Sequence, residues 1–237
     1  MKKFKWLVLG VLLVLFCVGC YIIYENNTKK DSSKDDALDN LNNVALELQS
    51  FVSDNSLDSL DLYGMDNLDR VAINYYCFKE DKCDTVSKDE VDDYLNKVFK
   101  MTSKHTDILC RVDNEVLYKF DGENFIYNED HPGHDGDNAT SIYSKVYSIS
   151  QSGDKYVLVL NKIYYSPLSS DYITSDPQNN NNNKLFEDSL FGDEASNEEI
   201  IDYYNEHYDE FKNKGNKYKY TFEKNGDSFY LKDYKVI

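Results

Sequence analysis

The densest chemistry in the chain lies in the stretch Glu129-Asp130-His131-Pro132-Gly133-His134-Asp135-Gly136-Asp137-Asn138. Two of the four histidines fall inside it, together with four carboxylates. Imidazole with carboxylate suits Zn²⁺ or another first-row divalent ion, whereas aspartates between turn glycines suit Ca²⁺. The candidate metal ligands are therefore His131, His134, Asp135 and Asp137. Neither standard pattern fits them. The zinc motif H-E-x-x-H needs histidines four apart on a helix; these are three apart, and Pro132-Gly133 excludes a helix. The calcium loop D-x-[DN]-x-[DN]-G is also unmatched. The same Pro, Gly, Asp and Asn residues make turns, so a solvated connection that binds nothing is the simpler reading.

The remaining reactive side chains are more isolated. His207 lies on a helical stripe between Tyr204 and Phe211 and reads as a packing residue, while His105 follows Lys104 in a connection with no visible partner. Cys110, between Leu109 and Arg111 on an expected strand, reads as a packed thiol rather than an activated one. No G-x-S-x-G, Walker loop or dinucleotide fingerprint occurs. The chain is accordingly expected to bind rather than catalyse. Divalent-metal binding or metal-dependent hydrolysis through His131–Asp137 is the alternative, with a divalent ion as the sole cofactor.

Period-2 patterns flank this loop. Residues 108–112, 115–120 and 124–128 read as strands, with Asp113-Asn114 and Asp121-Gly122 as turns. Residues 142–150 and 155–165 form a hairpin around Gln151-Ser152-Gly153-Asp154, and 217–223 pairs with 228–236 through Asn225-Gly226. Val157, Val159 and Ile163 alternate with Tyr156, Leu158 and Leu160; both faces of that strand are apolar, which predicts the sheet centre. Helical spacing marks Leu38 to Val52, Asp66 to Cys77, and the two segments opened by Ser87-Lys88-Asp89-Glu90 and Ser196-Asn197-Glu198-Glu199. Both openings fit a capping box. The fold class that follows is α+β: an antiparallel sheet of hairpins with helices packed on one face. Cystatin-like and NTF2-like curved sheets share this helix-then-meander order, an analogy of fold that says nothing of activity.

Placement depends on the N-terminus. Residues 6–24, Trp6 to Tyr24, carry no charge, and as a helix they would span about 28 Å, close to a bilayer's hydrocarbon core. Lys2, Lys3 and Lys5 precede the run and Glu25 follows it, so residues 1–5 are expected in the cytoplasm and 25–237 outside. Residues 25–34 read as a flexible spacer. The domain is then 35–237: helical over 35–101, mainly sheet over 102–165, a low-complexity loop over 167–195 around Asn179–Asn183, and a closing helix and hairpin over 196–237. The rival placement is a lipoprotein lipidated at Cys20 after Val18-Gly19, although Cys17 and the hydrophobic residues beyond Cys20 fit it poorly.

All 43 acidic residues lie beyond the apolar run, so the exposed part is more acidic than the chain's net −17. That charge repels nucleic acid and anionic lipid headgroups. The expected partners are the membrane, through the N-terminal helix, and an envelope protein or small ligand. Of the five cysteines, Cys77, Cys83 and Cys110 lie outside the run. An oxidising exterior permits a Cys77–Cys83 disulfide closing a short loop, with Cys110 left over; Cys83–Cys110 is the alternative pairing.

The apolar run, the Val91-x-x-Tyr94-Leu95-x-x-Val98-Phe99 helix and the Tyr127–Asp137 loop with its His-Pro-Gly-His resemble uncharacterised membrane-anchored proteins of low-GC Gram-positive bacteria. The resemblance covers roughly residues 85–165. It implies an extracytoplasmic bacterial setting and carries no activity.

Overall fold

The computed structural model describes residues 38–111, 113–131, 141–165, 173–175, 184–186 and 196–237. The expected anchor at 6–24, the spacer, the stub 1–5 and the Asn179–Asn183 run lie outside the described residues. Among the described residues no helix is long and apolar enough to cross a membrane. The chain divides into two units, 1–44 and 45–237. Residues 38–44 of the first are helical.

The second unit begins with helical residues 45–54 (α1) and a 3-10 turn, Leu57–Ser59, running into α2 (Leu60–Tyr63). Then come α3 (Leu68–Glu80), β1 (Thr85–Ser87) and α4 (Lys88–Phe99). Strands β2 (Ile108–Leu109), β3 (Val116–Phe120) and β4 (Asn124–Tyr127) precede the long hairpin of β5 (Ser141–Ser152) and β6 (Lys155–Tyr165). The remainder is β7 (Ile173–Thr174), β8 (Lys184–Phe186), α5 (Asn197–Glu206), α6 (Tyr208–Phe211), β9 (Lys217–Asn225) and β10 (Ser228–Val236).

Both capping boxes form. Ser87 Oγ accepts the Glu90 N–H at 3.3 Å while the Glu90 carboxylate accepts the Ser87 N–H at 2.9 Å. Ser196 and Glu199 repeat this at 3.2 and 2.9 Å. The Lys82 ammonium and the Ser87 N–H hold the Glu90 carboxyl below its usual range, and the Ser196 N–H and hydroxyl do the same for Glu199. A carboxyl whose pKa falls on folding stabilises the folded state above its ordinary value of 4.5 and loses that contribution as pH drops through the lowered one. Thermal unfolding between about pH 6 and about pH 3 should therefore show a falling Tm, and Glu90→Gln with Glu199→Gln should flatten the fall. An unchanged acid slope in the double variant would mean that other carboxylates set it.

The strands form two antiparallel sheets where one was expected. The smaller has the order β1-β4-β3-β2. Its edge strand β1 comes from the residues just before the Ser87 cap, with Val86 opposite Phe125. In the larger sheet β6 is central: it pairs β5 along its whole length, β9 over Lys155–Asn161 and β7 at Tyr164. The order continues β10-β9-β6-β7-β8.

Helices cover both faces of the larger sheet, not one. Successive β6 side chains point to opposite faces. On one face Lys162 and Tyr164 meet Asp61 of α2, and Phe222 of β9 meets Phe51 of α1 edge-on at 5.7 Å. On the other, Ile163 and Tyr165 pack with Ile200 and Tyr204 of α5 and Phe211 of α6, and Asn161 Nδ2 donates to the Lys212 carbonyl. A strand apolar on both sides requires a cover on both. The expected single helix after Ser196 breaks at His207 into α5 and α6. The chain then turns at Gly215, where φ is +74° and an added Cβ would fall 2.0 Å from Ser175 Oγ.

Candidate functional site

Cys110 does not lie on a strand. β2 ends at Leu109, and the chain enters a tight turn in which the Cys110 N–H donates to the Glu115 carbonyl at 2.7 Å and the Asn114 N–H to the Cys110 carbonyl at 3.0 Å. Asn114 takes the left-handed conformation, φ 61°, which Asn tolerates better than most side chains. Asp113 Oδ1 accepts the Glu115 N–H at 2.9 Å. The turn thus puts the Cys110 thiol and the Asp113 carboxylate, three residues apart, on one side of the β2–β3 connection.

His131 reaches the same place from β4. Asn128 donates its N–H to the Leu117 carbonyl at 2.9 Å and its side-chain amide to the Val116 carbonyl at 2.8 Å. The His131 N–H then donates to the Asn128 carbonyl at 2.9 Å, which bends the chain back along β3. The imidazole is fully buried, with Nε2 3.2 Å from Asp113 Oδ2 and 3.3 Å from Oδ1. Thiol, carboxylate and imidazole offer ligand atoms all within 4.8 Å of one another. The Glu115 N–H holds the Asp113 carboxyl below its ordinary range against partial burial, helped by the Cys110 and His131 side chains. Two of the three groups are buried and Asp113 is partly open to water.

Of the four ligands expected from sequence, only His131 is described; His134, Asp135 and Asp137 lie outside the described residues. Among the described residues its neighbours include Cys110 and Asp113, which stand 21 and 18 positions earlier in the chain. The signal is Cys110-x-x-Asp113 followed by Asn114, the short-spaced donor pair a tight turn presents.

The disulfide is Cys77–Cys83, with Cα atoms 4.3 Å apart, and Cys110 lies outside it, buried. The bridge joins the last turn of α3, which ends at Asp81 in the left-handed region, to the chain leading into β1.

Two further charged clusters are internal. His105 Nδ1 lies 2.9 Å from Asp69 Oδ2 of α3 and Nε2 lies 3.1 Å from Asp92 Oδ1 of α4, with Phe120 and Phe125 against the ring. Lys162 Nζ lies 2.5 Å from Asp58 Oδ1 and 2.6 Å from Asp61 Oδ2. The Tyr164 and Tyr234 hydroxyls donate to the Asp61 carboxylate as well. Burial pushes Asp61 up against the pull of Lys162, while burial opposes the Lys162 charge and is outweighed by Asp58 and Asp61. His207 stacks on Tyr203 at 4.1 Å, and its Nδ1–H donates to the Tyr203 carbonyl at 3.0 Å.

Set beside protein-family models, curated proteins and solved structures, the chain matches none of them.

Proposed function

We propose that the chain is a membrane-tethered extracytoplasmic binding module, non-catalytic, presenting its acidic α+β domain to an envelope protein or small ligand. The observation that carries this reading is the Cys77–Cys83 disulfide, since such bridges form and persist in oxidising compartments. The uncharged run at 6–24 with lysines before it supplies the tether, a single-pass anchor with the domain outside. The excess of carboxylates favours a cationic or neutral partner over nucleic acid. The finer fold assignment, a cystatin-like or NTF2-like arrangement of helices and antiparallel hairpins, belongs to the same reading as an analogy of fold alone. So does the likeness to membrane-anchored proteins of low-GC Gram-positive bacteria.

Protease added to intact producing cells should digest the domain. Thiol labelling of the denatured, unreduced chain should modify Cys110 and leave Cys77 and Cys83 unreacted. A domain that is spared until lysis and reacts at Cys77, Cys83 and Cys110 alike would place it on the reducing side. Cys20→Ala separates the two tethers, because loss of a lipid-sized mass increment together with retention of residues 1–19 would mark lipidation in place of a spanning helix.

A further inference from the structure

The turn after β2 and the loop after β4 converge on a set of side chains with the composition of a metal site. We propose that Cys110, Asp113 and His131 bind one thiophilic divalent cation of the Zn²⁺ class. This inference is independent of the tethering reading, because the three ligands meet whichever side of a membrane the domain occupies.

The donor set selects the ion. Ca²⁺ and Mg²⁺ take oxygen ligands, and a sulfur donor excludes them; sulfur, imidazole nitrogen and carboxylate oxygen together suit Zn²⁺ and its first-row neighbours. Zn²⁺ bonds these atoms at about 2.0–2.3 Å, so two ligand atoms on one tetrahedral ion stand roughly 3.3–3.8 Å apart. His131 Nε2 and Asp113 Oδ2 already stand 3.2 Å apart. No separation within the trio exceeds 4.8 Å, so side-chain rotation of about an ångström closes the set.

The backbone holds the ligands before any ion arrives. Cys110 and Asp113 are spaced like the two donors of a zinc knuckle, C-x₂₋₄-C, and the turn carrying them is pinned by Cys110 N–H to Glu115 O and Glu115 N–H to Asp113 Oδ1. His131 comes from a separate segment, itself fixed through Asn128 to β3. Ion binding takes the proton from the Cys110 sulfur to solvent, and the imidazole coordinates through the Nε2 lone pair with its proton on Nδ1. Asp113, on the water side, gives the ion its path in, and three protein ligands leave a fourth position for water.

The test uses the full chain in detergent, metal-free, with its disulfide intact. Titration with Co²⁺ should raise a near-ultraviolet thiolate-to-cobalt band that saturates at one ion per chain, and Zn²⁺ should displace it. Cys110→Ser should abolish the band. Asp113→Asn keeps the acceptor for the Glu115 N–H, and so the turn, and should weaken Zn²⁺ binding roughly tenfold or more, as should His131→Ala. Far-ultraviolet circular dichroism of each metal-free variant checks that it folds; should Cys110→Ser misfold, Asp113→Asn decides alone. A folded wild-type chain with no cobalt–thiolate band overturns the site and leaves a hydrogen-bonded trio only. So does Zn²⁺ binding that survives Cys110→Ser and Asp113→Asn but vanishes with His134→Ala, Asp135→Ala and Asp137→Ala together.

Discussion

Replacing Lys162 by methionine should cost about 3–5 kcal/mol of folding free energy, the range for removing one partner of a buried ion pair. Methionine keeps most of the apolar stem but removes the ammonium that faces Asp58 and Asp61. The Lys162 and Asp61 side chains are both 0% exposed, so the surviving Asp61 charge has no route to water. The Tyr164 and Tyr234 hydroxyls still donate to it, but neutral donors do not replace a cation. Lys162 also lies over the Tyr218 and Tyr220 rings, at 4.7 and 5.1 Å from their centroids, and that attraction goes with the charge. Adding Asp61→Asn should restore part of the loss, since the amide oxygen still accepts from the tyrosines and leaves no net charge behind. The urea midpoint at constant m-value measures both changes. Equal losses in the single and double variants would show that packing, not charge, is at stake.

His105→Ala should cost about 2–4 kcal/mol, combining lost ring packing with a stranded carboxylate. The ring is the bridge between Asp69 on α3 and Asp92 on α4, and it fills the space against Phe120 and Phe125 of the smaller sheet. Asp69 is the sensitive end: its side chain is 7% exposed and its Oδ1 has no hydrogen-bond partner among the described residues, so Oδ2 relies on the imidazole. Asp92, 35% exposed, can turn to water. Asp69→Ala should therefore destabilise more than Asp92→Ala, read from the same urea midpoints. Equal effects would mean that the ring acts only as a filler between the helices and the smaller sheet.

Local signals in the sequence were legible wherever one segment sufficed to produce the structure. Ser87 with Glu90, and Ser196 with Glu199, begin helices because the whole capping box lies within four residues. The doubly apolar run from Tyr156 to Ile163 became the central strand because burial on both faces is written into its own side chains. Legibility ended where a partner lies far along the chain. Thr85–Ser87 is too short to show a period, so neither β1 nor the separate sheet it completes was visible. Lys162 interrupts an apolar strand without revealing that Asp61, 101 positions earlier, neutralises it. His105 looked solitary because its carboxylates lie 36 and 13 positions away. The same limit governs the candidate site: chain proximity groups His131 with residues 134–137, and the folded chain also brings it to Asp113, 18 positions earlier, and to Cys110, neither of which proximity shows.

The Asp61 cluster has a consequence for biosynthesis. Its donors Tyr220 and Tyr234 sit 159 and 173 positions after it, and β9 must lie against β6 before they can reach it. A polypeptide emerging N-terminus first therefore carries Asp58, Asp61 and Lys162 without these hydroxyl partners until β9 and β10 have been made. Closure of the larger sheet thus waits on β9 and β10, which makes the cluster a contact of high sequence separation that forms late in folding.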